Sequence, residues 1–589
     1  MFPHRSTSLF VVVIFFIVAL LIFSSSPSPS ALYVSEATKA YIPKPKLPPL
    51  PNFRFPFRPS VHKPPQQPDS SGKGSKWYSD WKWLNPFSYS ITLDEDRAVL
   101  PPLRERPPIY TFYDSTDKKD KAVVEADHKL LLAWRRAWFA QGFRPVVLGR
   151  QETQANKLYQ ALNTQNMDNG LLNEFYKWLA WGHMGDGILA DPLCFPMGPY
   201  DDELLSELRR GTLPTHITRF ANLGAGMFSG EGSKINDAVK EGLRSANLES
   251  AKSIMDVIPP DLFKLQEPSS LAFYNPSTVT TNYPALAEKV VASNAEGRLA
   301  LVELINAHLH TTFQNTFSSG IHVLKPLPDH STALVDPGVR LANLLTQCPP
   351  SIQHSSCPPN RPNCQPCSID KPIEITQPSA FKNDSQVFTI GAIPHPFTRI
   401  SLQRGSEEVT TRHIRRETTR DPWVLEITKG ILGKDRGGPS RVVSFKEIVA
   451  GDSAISRSLW FTVEELPAES EHNLPPALLD DMEWQFGFLI PRKVQTEGKS
   501  GEGPNGLATP SEDKQRNQNI LKKEYQVLAK ARDVLKHPEQ NNRVGIKAVA
   551  EAWNLADTEV WRFVKAYQAR GVVERKKWQE EEKDFAGSN

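Results

Sequence analysis

The first seventy residues limit where this chain begins to fold as a globular protein. Residues 9–23 form an uninterrupted apolar run, and residues 43–68 are rich in proline and basic residues with no acid among them. As a helix the run covers about 22 Å, and the uncharged window at 6–26 is just long enough for a bilayer core of about 30 Å. A proline-rich, basic segment favours an extended, solvated chain. We therefore expect globular structure to begin only near Pro107.

The apolar run also indicates where the protein is made. Arg5 and the amino terminus precede it, which is typical of the cytosolic flank of a retained signal anchor. A signal peptide cleaved near Ser28-Pro29-Ser30 is the alternative. With an anchor, the protein is a single-pass type II protein of the Golgi or ER membrane with a lumenal head. With cleavage, it is secreted.

Composition shifts divide the chain, which at 589 residues is long enough for two to four domains. A glycine-rich and proline-rich polar stretch at 494–515 predicts a second flexible connection. The expected segments are a cytosolic tip and signal anchor at 1–26, a stem at 27–106, an α/β domain at 107–345, a cysteine loop and extension of the head at 346–493, a linker at 494–516 and a helical region at 517–589.

Strand-like and helical patterns alternate after the stem. In residues 123–141 apolar side chains recur at helical spacing, and Gly142 suits the end of that helix. Such alternation predicts an α/β fold with a mostly parallel sheet flanked by helices. The predicted elements are strands at 108–113, 143–148 and 187–189 and helices at 123–141, 151–162 and 171–181.

The charge pattern argues against nucleic acid as a partner. The formal net charge is only +3, and the basic residues are spread along the chain. Residues 546–553 and 558–567 read as two helices around a turn, reminiscent of a helix-turn-helix, but acids alternate with bases there. We expect this helical region to dock on the head or on a partner.

Four of the five cysteines lie in one proline-rich loop, as Cys348, Cys357, Cys364 and Cys367. Their spacing lacks the paired CxxC knuckles of a zinc site. In an oxidising lumen the pattern favours two structural disulfides, with three pairings open. The sequon at Asn383 fits a lumenal face as well.

The segment 175–193 carries the strongest functional pattern. A helical stretch leads into glycines, then a short apolar strand, then Asp191. Ligands of open α/β sheets bind outside the carboxyl ends of the strands. An acid at that position can hold a divalent cation, which in turn holds a diphosphate. The alternative is that Asp191 only caps a turn before Pro192.

In this segment the chain resembles GT-A-type nucleotide-sugar glycosyltransferases, most of all the fungal and bacterial group with a DxD sugar-binding region. In that group a helix leads into a Gly-Gly-aromatic-x-Asp-x-Asp stretch. The resemblance covers roughly residues 107–323 and includes Trp134, Trp138 and the stretch 142–148. It implies a GT-A-like sheet, a nucleotide-sugar donor, and Mn²⁺ or Mg²⁺ held by paired acids.

This sequence departs from the motif at its second acid, because Asp191 is followed by Pro192 and Leu193. Asp186, before the strand, or His308 is the candidate to complete a metal site with Asp191. Tyr113 and Asp114 end the first strand, where the GT-A fold usually meets the nucleotide, although a strand-end Asp also serves as a helix cap. The glycine-rich run 224–233 precedes a helix and either cradles a phosphate or sugar or forms a flexible loop.

The sequence thus predicts a lumenal glycosyltransferase that moves a sugar from a nucleotide donor to a glycan or glycoprotein. Asp191 and Asp186, with Tyr113 and Asp114, are the expected donor-binding residues. No catalytic base is identified. A GT-A-like head that has lost its metal site and serves as a binding or scaffold subunit is the alternative, which the missing second acid favours.

Overall fold

The computed structural model describes residues 60–65 and, with gaps, residues 100–585. The longer gaps fall at 410–420, 466–473, 493–510 and most of 541–554. The predicted signal anchor, most of the stem and residues 494–510 of the linker therefore lie outside the described residues, whereas residues 511–516 of the predicted linker begin a helix. Within the described part, no helix has the length and apolarity to cross a bilayer.

Two sets of elements build the head. The strands are β1 (Pro108–Phe112), β2 (Arg144–Leu148), β3 (Gly187–Ala190), β4 (Cys194–Pro196), β5 (Ile217–Phe220), β6 (Met227–Gly230), β7 (Phe263–Gln266), β8 (Leu271–Phe273), β9 (Gly320–Leu324), β10 (Ile375–Thr376), β11 (Val387–Ile393) and β12 (Ser458–Thr462). The helices are α1 (Lys121–Ala140), α2 (Arg150–Ala155), α3 (Tyr159–Leu162), α4 (Asn169–Met184), α5 (Glu203–Arg209), α6 (Gly232–Leu243), α7 (Pro276–Asn282), α8 (Pro284–Val291), α9 (Ala295–Thr316), α10 (Thr332–Thr346), α11 (Pro396–Arg404), α12 (Pro422–Leu432), α13 (Gly438–Ala450), α14 (Pro476–Phe486), α15 (Ser511–Lys536) and α16 (Leu555–Glu582).

The first sheet has the strand order β2-β1-β3-β6-β5-β7. β1 pairs in parallel with β2 and with β3, whereas β6 is antiparallel to both β3 and β5. Neighbouring strand residues point to opposite faces of the sheet, so both faces are apolar. Helices cover both of them. Ile109 packs in the cluster of Trp134 and Trp138 from α1, and Tyr110 packs in the cluster of Trp178 from α4.

The two long helices on this sheet begin at acidic caps. The Asp120 carboxylate accepts a hydrogen bond from the backbone N–H of Ala122, and Asp168 accepts one from Gly170. α4 ends at Gly185, whose φ of 89° lies in the left-handed region that favours glycine. This tight ending places β3 directly after α4.

The prediction of a mixed α/β head with parallel strands and flanking helices is confirmed. β1, β2 and β3, with α1 and α4, lie within a few residues of their predicted bounds. The helix predicted at 151–162 is divided into α2 and α3. The glycine-rich run at 224–233 is neither a loop nor a cradle alone, because four of its residues form β6 and its end begins α6.

A second sheet, which the sequence did not predict, has the order β10-β9-β11-β12 and is parallel throughout. It begins at Gly320 and ends at Thr462. The domain boundary expected near residue 345 therefore falls within the chain segment that builds this sheet, because β9 lies before the boundary and the other three strands lie after it. Ile321, Val323 and Ile390 of this sheet share one core cluster with α1 and β1, so the two sheets have a continuous apolar interior.

The cysteine loop connects α10 to β10 and contains two disulfides. They join Cys348 to Cys367 and Cys357 to Cys364, which resolves the three open pairings. The fifth cysteine, Cys194, is buried and unpaired. Asn383 is exposed just before β11, so its sequon is accessible. Both features are compatible with a lumenal or secreted head.

The helical region at the carboxyl end docks on the head. α16 lies against β12 and α13. Arg399 of α11 pairs with Asp557 of α16, and both are fully buried. Lys446 Nζ lies 2.6 Å from Glu559 Oε1. Buried pairs of this kind fix the position of a helix, since separating them leaves charges without partners.

A buried histidine in residues 60–65 of the stem joins that stretch to α2 and α16 of the head. His62 Nδ1 lies 3.0 Å from Glu152 Oε1 of α2, and its Nε2 lies 3.1 Å from Glu582 Oε2 of α16. The ring stacks on Phe585 at 3.6 Å. Burial by itself lowers the pKa of His62, but the two carboxylates outweigh it and the pKa is raised. The pKa of Glu152 is lowered, because its hydrogen bonds from His62 and Gly149 outweigh the effect of burial.

The replacement His62→Gln should lower the free energy of unfolding by about 2 kcal/mol at pH 6. A raised pKa in the folded state means that the stabilisation is complete below the ordinary value of about 6.5 and is lost as pH rises through the folded value. The loss should therefore be much smaller at pH 9. Urea unfolding of the wild type and the variant at both pH values measures the difference.

The matched control is His537→Gln, because His537 is about half exposed and pairs with Asp533 one turn away on α15. Exposed pairs of this type contribute about 0.5 kcal/mol or less. An equal loss for His62→Gln at both pH values would contradict a charged His62.

Candidate functional site

The carboxyl ends of β2, β1 and β3 meet at one edge of the first sheet. The pairing is in register, with Ile109 opposite Pro145 on one side and Ile188 on the other. The residues that follow these strands are therefore neighbours in space, as parallel pairing requires. They are Tyr113 and Asp114 after β1, Gly149 and Arg150 after β2, and Asp191 after β3.

Asp114 is held in an ion pair at this edge. Its carboxylate pairs with the guanidinium of Arg150 and accepts hydrogen bonds from the backbone N–H and hydroxyl of Thr116 at 3.0 and 2.7 Å. Burial by itself raises the pKa of Asp114, but the Thr116 hydrogen bonds and Arg150 together lower it. The Arg150 guanidinium also lies 4.5 Å from the centre of the Tyr176 ring. Arg150 is thus a positioned cation at the strand ends.

Tyr113 belongs to a second, partly buried network beside Asp114. Its hydroxyl donates to Asp127 Oδ2 at 3.2 Å, and Arg298 Nη1 lies 2.6 Å from the other oxygen of Asp127. Burial and the Asp127 carboxylate raise the pKa of Tyr113. The phenol therefore stays neutral, and the network connects the strand end to α1 and α9.

Asp191 lies between a turn and a lysine. Its Oδ1 accepts the backbone N–H of Leu193 at 3.0 Å, which is the turn-capping role named above as the alternative. Its Oδ2 lies 3.3 Å from Lys177 Nζ, which extends from α4. Side-chain exposure is 36% for Lys177 and 19% for Asp191, so the pair faces solvent on one side. Asp191 thus combines a local structural role with an ion pair at the carboxyl edge of the sheet.

Asp186 lies at the opposite end of β3. The strand and its flanks place the two acids about 16 Å apart at 3.3 Å per residue. The Asp186 carboxylate accepts the backbone N–H of Gly232 at 2.7 Å, so it supplies the negative charge that the start of α6 favours. Asp186 therefore shares no ligand position with Asp191.

His308 is buried in α9 with both ring nitrogens in contact with hydroxyl groups. Nδ1 lies 2.8 Å from the Tyr274 hydroxyl, and Nε2 lies 2.9 Å from the Ser356 hydroxyl. Burial lowers the pKa of His308 to about 3. The residues proposed from sequence as metal ligands are thus not brought together. In the part of the chain that the structure describes, no group of three His, Cys, Asp or Glu side chains is placed to hold a metal ion.

Sequence reasoning missed both cations of this site. Arg150 follows β2 by two residues, so the strand-end rule that selected Asp114 would have found it too. Lys177 carries no such signal, because it lies in the middle of α4 and reaches Asp191 only through the packing of helix on sheet. The same holds for Asp127 and Arg298, which come from α1 and α9.

A separate cleft of about 670 Å³ lies at the other ends of the strands. Arg144 and Ser458, the first residues of β2 and β12, line it. Aromatic side chains such as Trp484 and Trp578 form part of its wall. None of Tyr113, Asp114 or Asp191 borders it, so it is distinct from the strand-end site.

Comparison with known proteins assigns a family without an activity. The chain belongs to the family described as Domain of unknown function (DUF8765), whose model matches residues 71–589. No curated protein and no solved structure matches the chain.

The contrast between the two acids around β3 is testable. Replacement of Asp186 by Ala removes a charged partner from the first turn of α6 and should lower the free energy of unfolding by about 1 kcal/mol. Urea unfolding measures this loss. Asp237→Ala on the same helix is the control, because its pair with Lys240 is exposed and should cost about 0.5 kcal/mol or less. An Asp186→Ala variant as stable as the wild type would remove the capping role.

Proposed function

We propose that this member of the DUF8765 family binds a nucleotide sugar at the carboxyl ends of β1, β2 and β3. In this proposal it transfers the sugar to a glycan or glycoprotein in the secretory pathway. The observation that carries the proposal is the convergence of Tyr113, Asp114 and Asp191 at one edge of a parallel sheet. That edge is where open α/β sheets bind their ligands.

Each predicted donor residue at this edge has a role consistent with the proposal. The nucleotide would lie near Tyr113 and Asp114, and the diphosphate near Asp191. The partly exposed Arg150 and Lys177 supply positive charge beside these acids. Charged hydrogen bonds to phosphate oxygens are about twice as strong as neutral ones. Asp186 is not part of this donor site, because it caps α6 at the other end of β3.

The proposed place in the cell is the secretory pathway. The two disulfides and the exposed Asn383 are compatible with an oxidising lumen. The apolar run at 9–23 would anchor the protein in the Golgi or ER membrane with the head in the lumen, and a secreted form remains the alternative.

A binding or scaffold subunit is the second candidate, and one observation favours it. No second acid follows Asp191 at the position that the motif requires, and Asp191 is already paired with Lys177. A site that catalyses no reaction would still present the same sheet edge to a sugar or a protein partner. Donor binding separates the two candidates.

The first experiment is calorimetric titration of residues 27–589 with UDP and GDP sugars, with and without manganese. We expect the wild type to bind one donor and Asp191→Asn to bind it about tenfold more weakly or not at all. The change keeps the size of the side chain, so the unfolding midpoint should stay close to that of the wild type. Asp237→Asn on α6 is the matched control.

Two outcomes would count against the proposal. Wild-type affinity in Asp191→Asn would remove Asp191 from the donor site. Absence of binding to every donor by the folded wild type would make the scaffold candidate the better one.

A further inference from the structure

The residues at the strand ends do not fit a divalent metal ion. Mg²⁺ and Mn²⁺ take oxygen ligands in a nearly complete shell, with carboxylates as the usual protein donors. Here Asp191 is the acid that directly follows β3, and its two oxygens contact the Leu193 N–H and the Lys177 ammonium. Asp186 faces α6 at the other end of the strand, and His308 contacts two hydroxyl groups.

A protein cation lies beside each of the strand-end acids Asp191 and Asp114. Lys177 Nζ is 3.3 Å from Asp191, and Arg150 pairs with Asp114 on the neighbouring strand. The Arg150 guanidinium packs on the ring of Tyr176, so it contacts α4, the helix that carries Lys177. The two ion pairs bring positive charge to the strand ends, which a divalent ion would otherwise provide.

We propose that Lys177, together with Arg150, binds the diphosphate of the donor without a metal ion. The inference rests on the proposed function and deepens it. An ammonium group has three N–H donors, and Asp191 uses one of them. Because the Lys177 side chain is 36% exposed, phosphate oxygens would accept hydrogen bonds from the others. Arg150, which is paired with Asp114, would add its positive charge beside the second phosphate.

Asp191 is a positioning residue in this arrangement. Its Oδ1 is fixed by the Leu193 N–H, so its Oδ2 is held in place to orient the Lys177 ammonium. A lysine on a flexible four-carbon stem gains a defined position from such a partner. The ligand class is a nucleoside diphosphate or its sugar ester.

The test measures donor binding by the full chain in EDTA and in manganese. The probes are the UDP and GDP sugars and the free nucleoside diphosphates, titrated by calorimetry in detergent. We expect the wild type to bind with the same affinity in both buffers, within about threefold. Lys177→Met should lower the affinity about tenfold or more in both buffers, because the loss of one charged hydrogen-bond donor corresponds to a change of that size.

Lys177→Asp turns the site into a two-carboxylate site and provides an independent readout. It should lose donor binding in EDTA and recover part of it in manganese. Lys240→Met is the control, because Lys240 is an exposed lysine of α6 away from the strand ends. Arg150→Met is a second variant should a Lys177 replacement unfold, and it should also weaken binding in both buffers.

The outcomes separate this inference from the proposed function. Donor binding by the wild type that disappears in EDTA would overturn the metal-free site and leave the proposed function standing. A folded Lys177→Met variant that binds the donor like the wild type would also overturn the inference and leave the proposed function standing. Absence of donor binding by the wild type in both buffers would overturn the proposed function and this inference with it.

Discussion

The parallel pairing of β1 with β2 and β3 is the constraint on which the site depends. Parallel strands require helical crossovers, and those crossovers bury both faces of the sheet. The apolar sequences of these strands are therefore buried in the interior, and the residues at the strand ends lie nearer solvent. For this reason Asp114, Arg150 and Asp191 come from separate parts of the chain and still meet at one edge. The chemistry of the site follows from where the strands stop.

The direction of β3 explains why two acids so close in sequence have unrelated roles. Asp186 precedes the strand and Asp191 follows it, so the sheet separates them by its own length. Asp186 meets the start of α6 because β6 runs antiparallel to β3 and delivers that helix to the same end. Sequence spacing alone makes both acids candidates for one site. A shared site is excluded because the length of β3 separates them.

The sequence predicted the elements that have strong periodicity and missed those that have none. β1, β2, β3 and the two long helices α1 and α4 carry clear apolar patterns. β6 has only four residues, and glycines at 224, 226, 230 and 232 lie in or beside it, so its pattern resembles a loop. The second sheet escaped prediction because its strands are spread over residues 320–462 and separated by the cysteine loop and several helices. The disulfide pairing and the reach of Lys177 depend on packing, which local sequence does not encode.

In the proposed function, the pair of Lys177 and Asp191 contributes to ligand binding rather than to stability. A partly exposed ion pair contributes about 1 kcal/mol or less, and salt screens it further. The fold does not depend on it, unlike the fully buried pair of Arg399 and Asp557 that fixes α16. A lysine whose ammonium is oriented but only partly desolvated can add phosphate oxygens to its contacts without first breaking the structure around it. A pair of this kind, at the edge where open α/β sheets bind ligands, favours a diphosphate as the third member of the group.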